Sequence, residues 1–199
     1  MQNKLTPDGK VIINNGPSSA GKTTLALALQ QKIDIPFIRF SFDLFLDNKS
    51  LPTEQFRSNK FSWSELRPSV FSGIHQCVPA LASAGNNVIF DHIIETRVWL
   101  HHLISLVANF DVFFVGLYCS LPELERREIL RGNRRPGEAF ADYQTVHGIT
   151  AYDLELNSED GLDDNINLLI RSWKDRKHPS ALDKMMDEMN KTNHFREKE

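Results

Sequence analysis

One eight-residue stretch near the start of the chain limits its possible fold more than any other feature. Residues 16–23, Gly-Pro-Ser-Ser-Ala-Gly-Lys-Thr, match a glycine, any four residues, and then Gly-Lys followed by Ser or Thr. A short β-branched run at 11–15 precedes this stretch, and good helix formers occupy 22–30. This order of strand, glycine loop and helix is the context in which the pattern forms a phosphate-binding loop.

Each fixed position of the pattern serves the binding of a phosphate chain. Glycines at both ends let the backbone close tightly, so that several N–H groups turn toward one point. The positive N-terminal end of the helix adds to the attraction, Lys22 can reach the β- and γ-phosphates, and the Thr23 hydroxyl can bind Mg²⁺. We therefore predict that a nucleotide binds to Gly16, Pro17, Ser18, Ser19, Ala20, Gly21, Lys22, Thr23 and Thr24.

The rest of the chain alternates between short apolar runs and amphipathic stretches. Apolar runs predict strands at 11–15, 36–42, 88–91, 112–118 and 152–156. Helical spacing occurs at 22–30, 70–81, 99–107, 120–131, 139–147 and 166–173. These apolar runs are typical of strands that are buried on both faces. We therefore predict an α/β fold with a five-stranded parallel sheet flanked by helices. Pro79 should kink its helix, and the polar segment 47–62 is predicted to be a loop or mobile region.

Length and composition narrow the class of protein. The 199 residues suit one domain, which we place at 11–174, between an extension at 1–10 and a charged tail or loose helix at 175–199. A formal net charge of -3 argues against a nucleic-acid partner, and no apolar run is long enough to span a membrane. Cys77 and Cys119 are far apart, so neither structural zinc nor a disulfide framework is expected, which fits a reducing cytoplasm.

Three carboxylates lie beside predicted strands, and ligands of open α/β sheets bind at the carboxyl ends of strands. Asp91 ends the run Val-Ile-Phe-Asp, and we predict that it holds Mg²⁺ together with Thr23; alternatively it caps the next helix. Asp43 follows the second strand and either accepts the proton of an acceptor hydroxyl or caps a short helix. Asp153 is expected to be structural and to pair with a neighbouring cation.

A cluster of arginines lies after the fourth strand: Arg126, Arg127, Arg131, Arg134 and Arg135. Planar guanidinium groups suit the charge that spreads over the oxygens of a phosphoryl group during transfer. We predict that Arg131 and Arg134 belong to a lid over the site and stabilise this charge. Arg126 is expected to lie on a solvated face that nearby glutamates balance.

Several histidine and aromatic side chains are not predicted to take part in the chemistry. His92, His101 and His102 are not assigned as metal ligands or acid–base groups, and the adjacent pair His101 and His102 is read as surface residues. Aromatic residues after the second strand either line an acceptor pocket or pack under a loop: Phe56, Phe61 and Trp63.

Four segments share their order and spacing with a known family. They are residues 12–23, Phe42-Asp43, residues 112–119 with the helix that ends Arg131-Gly132-Asn133-Arg134, and residues 146–148 with 152–156. The chain resembles the chloramphenicol phosphotransferase-like family of P-loop kinases from residue 11 to about residue 158. The Ser-Ser-Ala-Gly-Lys form of the loop and the Arg-Gly-Asn-Arg element are more specific than the general loop pattern.

The resemblance implies a nucleotide-kinase-like sheet, ATP and Mg²⁺, and transfer of the γ-phosphoryl group to a primary alcohol with Asp43 as the catalytic base. The enzyme that gives the family its name phosphorylates the 3-hydroxyl of chloramphenicol. Where the family often has two acids at the end of the third strand, this chain has Asp91-His92.

We therefore predict an ATP-dependent O-phosphotransferase that acts on a hydroxyl group of a small molecule. One alternative is a nucleoside, nucleotide or sugar kinase. Another is a nucleotide-dependent switch or binding module, in which the segment 47–62 would become ordered by the γ-phosphate. The arginine cluster favours phosphoryl transfer over the switch.

Overall fold

The computed structural model describes residues 8–131 and 137–196, apart from the side chains of Asp47 and 192–196. The strands are β1 (Val11–Asn15), β2 (Ile38–Ser41), β3 (Val88–His92), β4 (Val112–Tyr118) and β5 (Leu154–Asn157). They form one five-stranded parallel sheet in the order β2-β3-β1-β4-β5, which confirms the predicted sheet. Because β1 is the central strand, the loop that follows it leaves from the middle of the carboxyl edge of the sheet.

Helices connect these strands and cover both faces of the sheet. They are α1 (Lys22–Lys32), α2 (Asp43–Asp47), α3 (Thr53–Arg57), α4 (Trp63–Ser83), α5 (Arg97–Val107), α6 (Leu121–Arg131), α7 (Glu138–Thr145), α8 (Leu162–Lys174) and α9 (Ala181–Arg196). Within the described part of the chain, none of them has both the length and the apolar character needed to cross a bilayer.

The alternation of side chains along β1 creates two separate cores. Ile12 packs on the side of α1 and α8, together with Leu29 and Trp173. Ile13 points to the opposite face, where it packs among residues of α4, α5 and α9 such as Leu103. Both isoleucines are completely buried, as the apolar runs predicted for strands of a parallel sheet.

The polar segment after β2 is more regular than predicted. It contains α3, and α4 begins at Trp63, before the first residue with helical periodicity. The Ser62 hydroxyl caps α4 by accepting a hydrogen bond from the Glu65 amide. The helix also continues through Pro68 and Pro79, because its buried face packs on the sheet and offsets the backbone hydrogen bonds that proline cannot donate.

The C-terminal part of the chain is held by Asp153, which is structural as expected, although its partners differ from the cation that we predicted. Its two carboxylate oxygens accept hydrogen bonds from the backbone amides of Phe114 at 2.8 Å and Ala181 at 2.7 Å, not from a cation. These bonds join β4 to the start of α9, and β5 begins only after them, at Leu154. The segment read as a charged tail or loose helix contains α9, whose Leu182 is buried against the core.

Three histidines form a chain of contacts between β3, α4 and α5. His75 Nε2 lies 2.9 Å from His92 Nε2, and His75 Nδ1 lies 3.3 Å from His102 Nδ1. His92 is buried, whereas His101 is exposed, as predicted. Burial, together with the charge of His102, lowers the pKa of His75 to about 4. Among the described residues no cluster has the ligands for a metal ion.

Acid should destabilise the fold through His75. Its pKa rises from about 4 in the folded chain to 6.5 in the unfolded chain, so the unfolded chain binds more protons between these values. The contribution of His75 to stability is therefore fully present above the pKa of the unfolded chain, and it is lost as the pH falls toward the pKa of the folded chain. His75→Gln should remove at most about 1.4 kcal/mol per pH unit from the slope of unfolding free energy against pH.

Urea unfolding across this pH window measures the slope. The exposed His101 provides the control, because His101→Gln should leave the slope as it is in the original protein. An unchanged slope in His75→Gln would mean that other groups cause the acid sensitivity.

Candidate active site

The loop between β1 and α1 has two positions that only glycine fills without strain. A Cβ on Gly16 would lie 2.4 Å from the Leu117 carbonyl oxygen of β4, well inside a normal contact. Gly21 has a φ of 97°, in the left-handed region. The Asn14 side chain donates to the Lys22 carbonyl at 2.9 Å and so fixes the end of β1 to the start of α1. Packing against β4 and this hydrogen bond set the shape of the loop.

The polar groups of the loop are arranged as a phosphate site requires. Lys22 is almost fully buried, and its Nζ donates to the Pro17 carbonyl oxygen across the loop at 2.8 Å. The hydroxyls of Ser18 and Ser19 are buried, and in the described part of the chain they have no hydrogen-bond partner. Buried polar atoms of this kind normally bond to something, and phosphate oxygens would supply the partners. The loop therefore fits a nucleotide.

The two residues predicted to bind magnesium lie in contact. The Thr23 hydroxyl donates to Asp91 Oδ2 at 2.7 Å, and Arg39 lies 3.7 Å from the same oxygen. Burial raises the pKa of Asp91, while the charge of Lys22 and the bond from Thr23 oppose that rise. A hydroxyl and a carboxylate are the hard oxygen ligands that Mg²⁺ uses, and the ion needs few protein ligands when phosphates are bound. The pair fits the ion.

A cavity of about 910 Å³ opens above the loop, which is large enough for a nucleotide and a small acceptor. Residues 18–24 form one side of it. The other sides are formed by α2, the first half of α4, the end of β3, α6 and α7, which bring in Asp43, Asp91 and Arg131.

Asp43 and Arg131 approach each other in this cavity. Arg131 lies 3.8 Å from Asp43 Oδ2, although the two residues come from helices far apart in sequence. Asp43 is the first residue of α2, and Phe42 occupies the N-cap position of this helix. The other arginine predicted for the lid, Arg134, lies outside the described residues.

Arg127 contacts the loop, although the sequence analysis gave it no role. Its guanidinium group donates to the Ala20 carbonyl oxygen at 3.2 Å and to the Ser158 hydroxyl at 3.1 Å, while Glu123 holds its Nε at 2.6 Å. The sequence contained a signal for this position, because Arg127 lies one helical turn before Arg131 on the same face. Arg126 remains at the exposed surface, as expected, and also pairs with Glu123.

Aromatic rings line the end of the cavity beyond Asp43. The ring of Phe42 stacks on Trp63 with centroids 5.9 Å apart and contacts Phe71 at 4.7 Å. Trp63 lines the cavity and also packs on Phe56, whereas Phe61 is exposed. Trp63 thus forms part of the cavity wall, and Phe56 packs against it.

One ion pair lies beside the aromatic wall. Arg67 donates to Glu95 Oε1 at 2.5 Å, and both side chains line the cavity and are about one-third exposed. The Arg67 guanidinium carbon lies 4.4 Å from the centre of the Trp99 ring and 5.0 Å from that of Phe71. Stacking and pairing hold this arginine in one position, so the cavity has a fixed polar group next to its apolar wall.

The topology and the site together define a class of protein. A parallel sheet in this order, with a Gly-Lys-Thr loop after its central strand and a buried acid beside the threonine, is the architecture of P-loop kinases. A model of the family described as "Chloramphenicol phosphotransferase-like protein" matches residues 9–173. The chain belongs to this family, and it is an enzyme that transfers phosphoryl groups.

Individual proteins agree with this assignment. The chain is 32% identical over 171 residues, covering 76% of each chain, to the Mycobacterium tuberculosis protein named "Putative O-phosphotransferase Rv2636". The Mycobacterium tuberculosis APS kinase CysC has a similar fold, with a TM-score of 0.54, 18% identity, and coverage of 84% of this chain and 99% of that one. Shikimate kinase from Bacteroides thetaiotaomicron gives a TM-score of 0.56, 18% identity, and coverage of 83% and 96%.

Adding one methyl group to the loop should impair the site. In Gly16→Ala the new Cβ collides with the Leu117 carbonyl, so we expect a loss of about 1–3 kcal/mol of stability and at least tenfold weaker binding of Mg·ADP. Thermal unfolding and calorimetric titration with ADP measure the two effects.

Gly73 in α4 provides the matched control, because a Cβ there meets nothing within 4 Å. Gly73→Ala should keep its ADP affinity and gain up to about 1 kcal/mol of stability from helix propensity. Normal ADP binding by Gly16→Ala would contradict the tight packing of the loop against β4.

Proposed function

We propose that the protein transfers the γ-phosphoryl group of ATP, with Mg²⁺, to a hydroxyl group of a small molecule. The observation that carries the proposal is a carboxylate in the cavity that is separate from the one beside Thr23. Asp91 already accompanies Thr23 at the phosphate loop, whereas Asp43 lines the same cavity beside Arg131. An acceptor hydroxyl needs a base, and we assign that role to Asp43.

The loop residues bind and position the phosphates in this proposal. Lys22 exchanges its hydrogen bond with the Pro17 carbonyl for the β- and γ-phosphate oxygens. Thr23 and Asp91 would hold Mg²⁺, and the bound ion would neutralise part of the negative charge of the phosphates. Because the Lys22 side chain already reaches across the loop, little reorganisation of this side chain accompanies nucleotide binding.

The residues on the far side act on the acceptor. Asp43 accepts the proton of the acceptor hydroxyl while that oxygen attacks in line with the leaving ADP. Arg131 keeps the Asp43 carboxylate in place and stabilises negative charge on the transferring group, and we assign the same second role to Arg134 from its position in the sequence.

The aromatic wall supports an acceptor with a flat apolar part. Phe42, Trp63 and Phe71 surround that end of the cavity, with the Arg67–Glu95 pair beside them for hydrogen bonding. Chloramphenicol carries an aromatic ring and a primary alcohol, so it is the first acceptor that we propose. A nucleoside also has a flat ring and a primary hydroxyl, and the same wall makes it the second.

We also propose that the enzyme works in the cytoplasm and without a nucleic-acid partner. Cys77 and Cys119 are both free thiols, which suits a reducing compartment where ATP is available. The net charge of -3 gives no general attraction for phosphate backbones.

ADP formation with a panel of alcohols tests the proposed function. The panel contains chloramphenicol, aminoglycosides, nucleosides, sugars and hydroxy amino acids, each with ATP and Mg²⁺. We expect negligible ADP without an alcohol and a strong increase with at least one acceptor. Nucleotide binding without an increase for any acceptor would instead favour the nucleotide-dependent switch.

Two substitutions test the assigned roles once an acceptor is known. Asp43→Asn should lower kcat by about 10²–10⁴-fold, because the amide cannot accept the proton. Lys22→Ala should lower kcat/KM by about 100-fold or more, because charge stabilisation at the phosphates is lost. Steady-state kinetics and thermal unfolding are measured together, and both variants should remain folded.

Asp187→Asn is the matched control for the first substitution, since Asp187 is an exposed acid on α9, far from the cavity. It should be as active as the original protein. Near-normal turnover by Asp43→Asn would exclude Asp43 as the base.

A further inference from the structure

A buried glutamate joins α6 to α7. The Glu128 side chain of α6 is buried, and its two carboxylate oxygens accept hydrogen bonds from the amides of Gly137 at 2.9 Å and Ala139 at 2.8 Å. These amides belong to the first turn of α7, where N–H groups have no partner within the helix and a negative charge is favourable. Glu128 therefore caps the N-terminal end of α7, although it belongs to a different helix.

A second carboxylate joins α7 to the phosphate loop. Asp142 lies one helical turn after the start of α7, and its Oδ2 accepts a hydrogen bond from the Ser18 amide at 2.8 Å. Burial raises the pKa of Asp142, and the hydrogen bond from Ser18 opposes that rise. The contact spans 124 positions in the sequence, so it fixes the loop to an element that forms much later in the chain.

The remaining contacts make this connection stiff. Ala139 of α7 and Val146, which directly follows this helix, have the spacing of one helix face with Asp142, and both are completely buried. On the other side, Arg127 of α6 donates directly to the Ala20 carbonyl of the loop. The hydrogen bonds thus form a closed ring that passes from the loop through Asp142, α7, Glu128 and α6 and returns to the loop through Arg127.

We propose that Glu128 and Asp142 are positioning residues that make α7 a strut between the phosphate loop and the arginine-bearing helix α6. The strut fixes the loop amide at Ser18 and, through Glu128, the part of α6 from which Arg127 and Arg131 reach the site. The inference rests on the nucleotide site of the proposed function, but it requires no particular acceptor.

A double-mutant cycle on the full chain tests the strut, with the dissociation constant of Mg·ADP as the readout. Glu128→Ala and Asp142→Ala should each weaken ADP binding by about tenfold. Because both carboxylates act through α7, the double variant should also bind about tenfold more weakly, and not about a hundredfold. A double variant that binds ADP about a hundredfold more weakly would overturn the proposal. So would a single variant that binds ADP as tightly as the original protein.

Conservative variants separate positioning from general stability. Asp142→Asn keeps an oxygen that can accept from the Ser18 amide, so its ADP affinity should return to within about threefold of the original. Glu125→Ala in α6 and Gln144→Ala in α7 replace exposed side chains of the same helices, so both variants should bind ADP as tightly as the original protein. Tighter ADP binding by Asp142→Ala would show instead that this carboxylate competes with phosphate.

Hydrogen exchange on the unmodified protein provides a test that does not depend on folding of the variants. Addition of Mg·ADP should slow exchange in the segments that contain Ser18, Gly137 and Ala139 together, because one connected unit is being held. Protection of the loop without protection of α7 would contradict the strut. A protein that binds ADP but phosphorylates no alcohol would overturn the proposed function alone, whereas failure to bind ADP would overturn both.

Discussion

The structure depends on the close packing of one loop against the central strands. Residues 16–21 follow a buried strand, and Gly16 lies so close to the Leu117 carbonyl that any side chain would collide with it. The hydrogen bond from Asn14 to the Lys22 carbonyl joins the two ends of the loop. Arg127 and Asp142 then hold the loop from the outer side. Its shape is thus set before any ligand binds.

The loop and its surroundings place several charges in a partly buried space, where each of them has a polar or oppositely charged neighbour. Asp91 would favour its protonated form on burial alone, but Lys22, Thr23 and Arg39 oppose the rise of its pKa. Asp43 has Arg131 near it, and Asp142 has the Ser18 amide. Bound phosphates would join this network by taking over partners such as Lys22. Nucleotide binding would then exchange hydrogen-bond partners while the loop keeps its conformation. This behaviour suits an enzyme whose catalysis relies on positioning.

Local sequence patterns predicted the parts of the structure that depend on neighbouring residues. The loop pattern and the apolar runs led to the correct sheet, and Asp43, Asp91 and Lys22 line one cavity as expected. The pairing of Asp142 with Ser18 and the burial of His92 under α4 could not be predicted, because they join residues that meet only after folding. The extent of α4 was missed for the same reason, since tertiary packing outweighs the helix-breaking effect of its prolines.

The structure of a complex with a non-hydrolysable ATP analogue and Mg²⁺ tests the central claim most directly. We expect the Lys22 Nζ to have left the Pro17 carbonyl for the β- and γ-phosphate oxygens, with the magnesium ion at Thr23 and Asp91. The loop backbone should keep its present conformation, and the γ-phosphate should face Asp43 across the cavity. An analogue bound elsewhere, or a loop that rearranges while Lys22 remains on Pro17, would contradict this account of a preformed phosphate site.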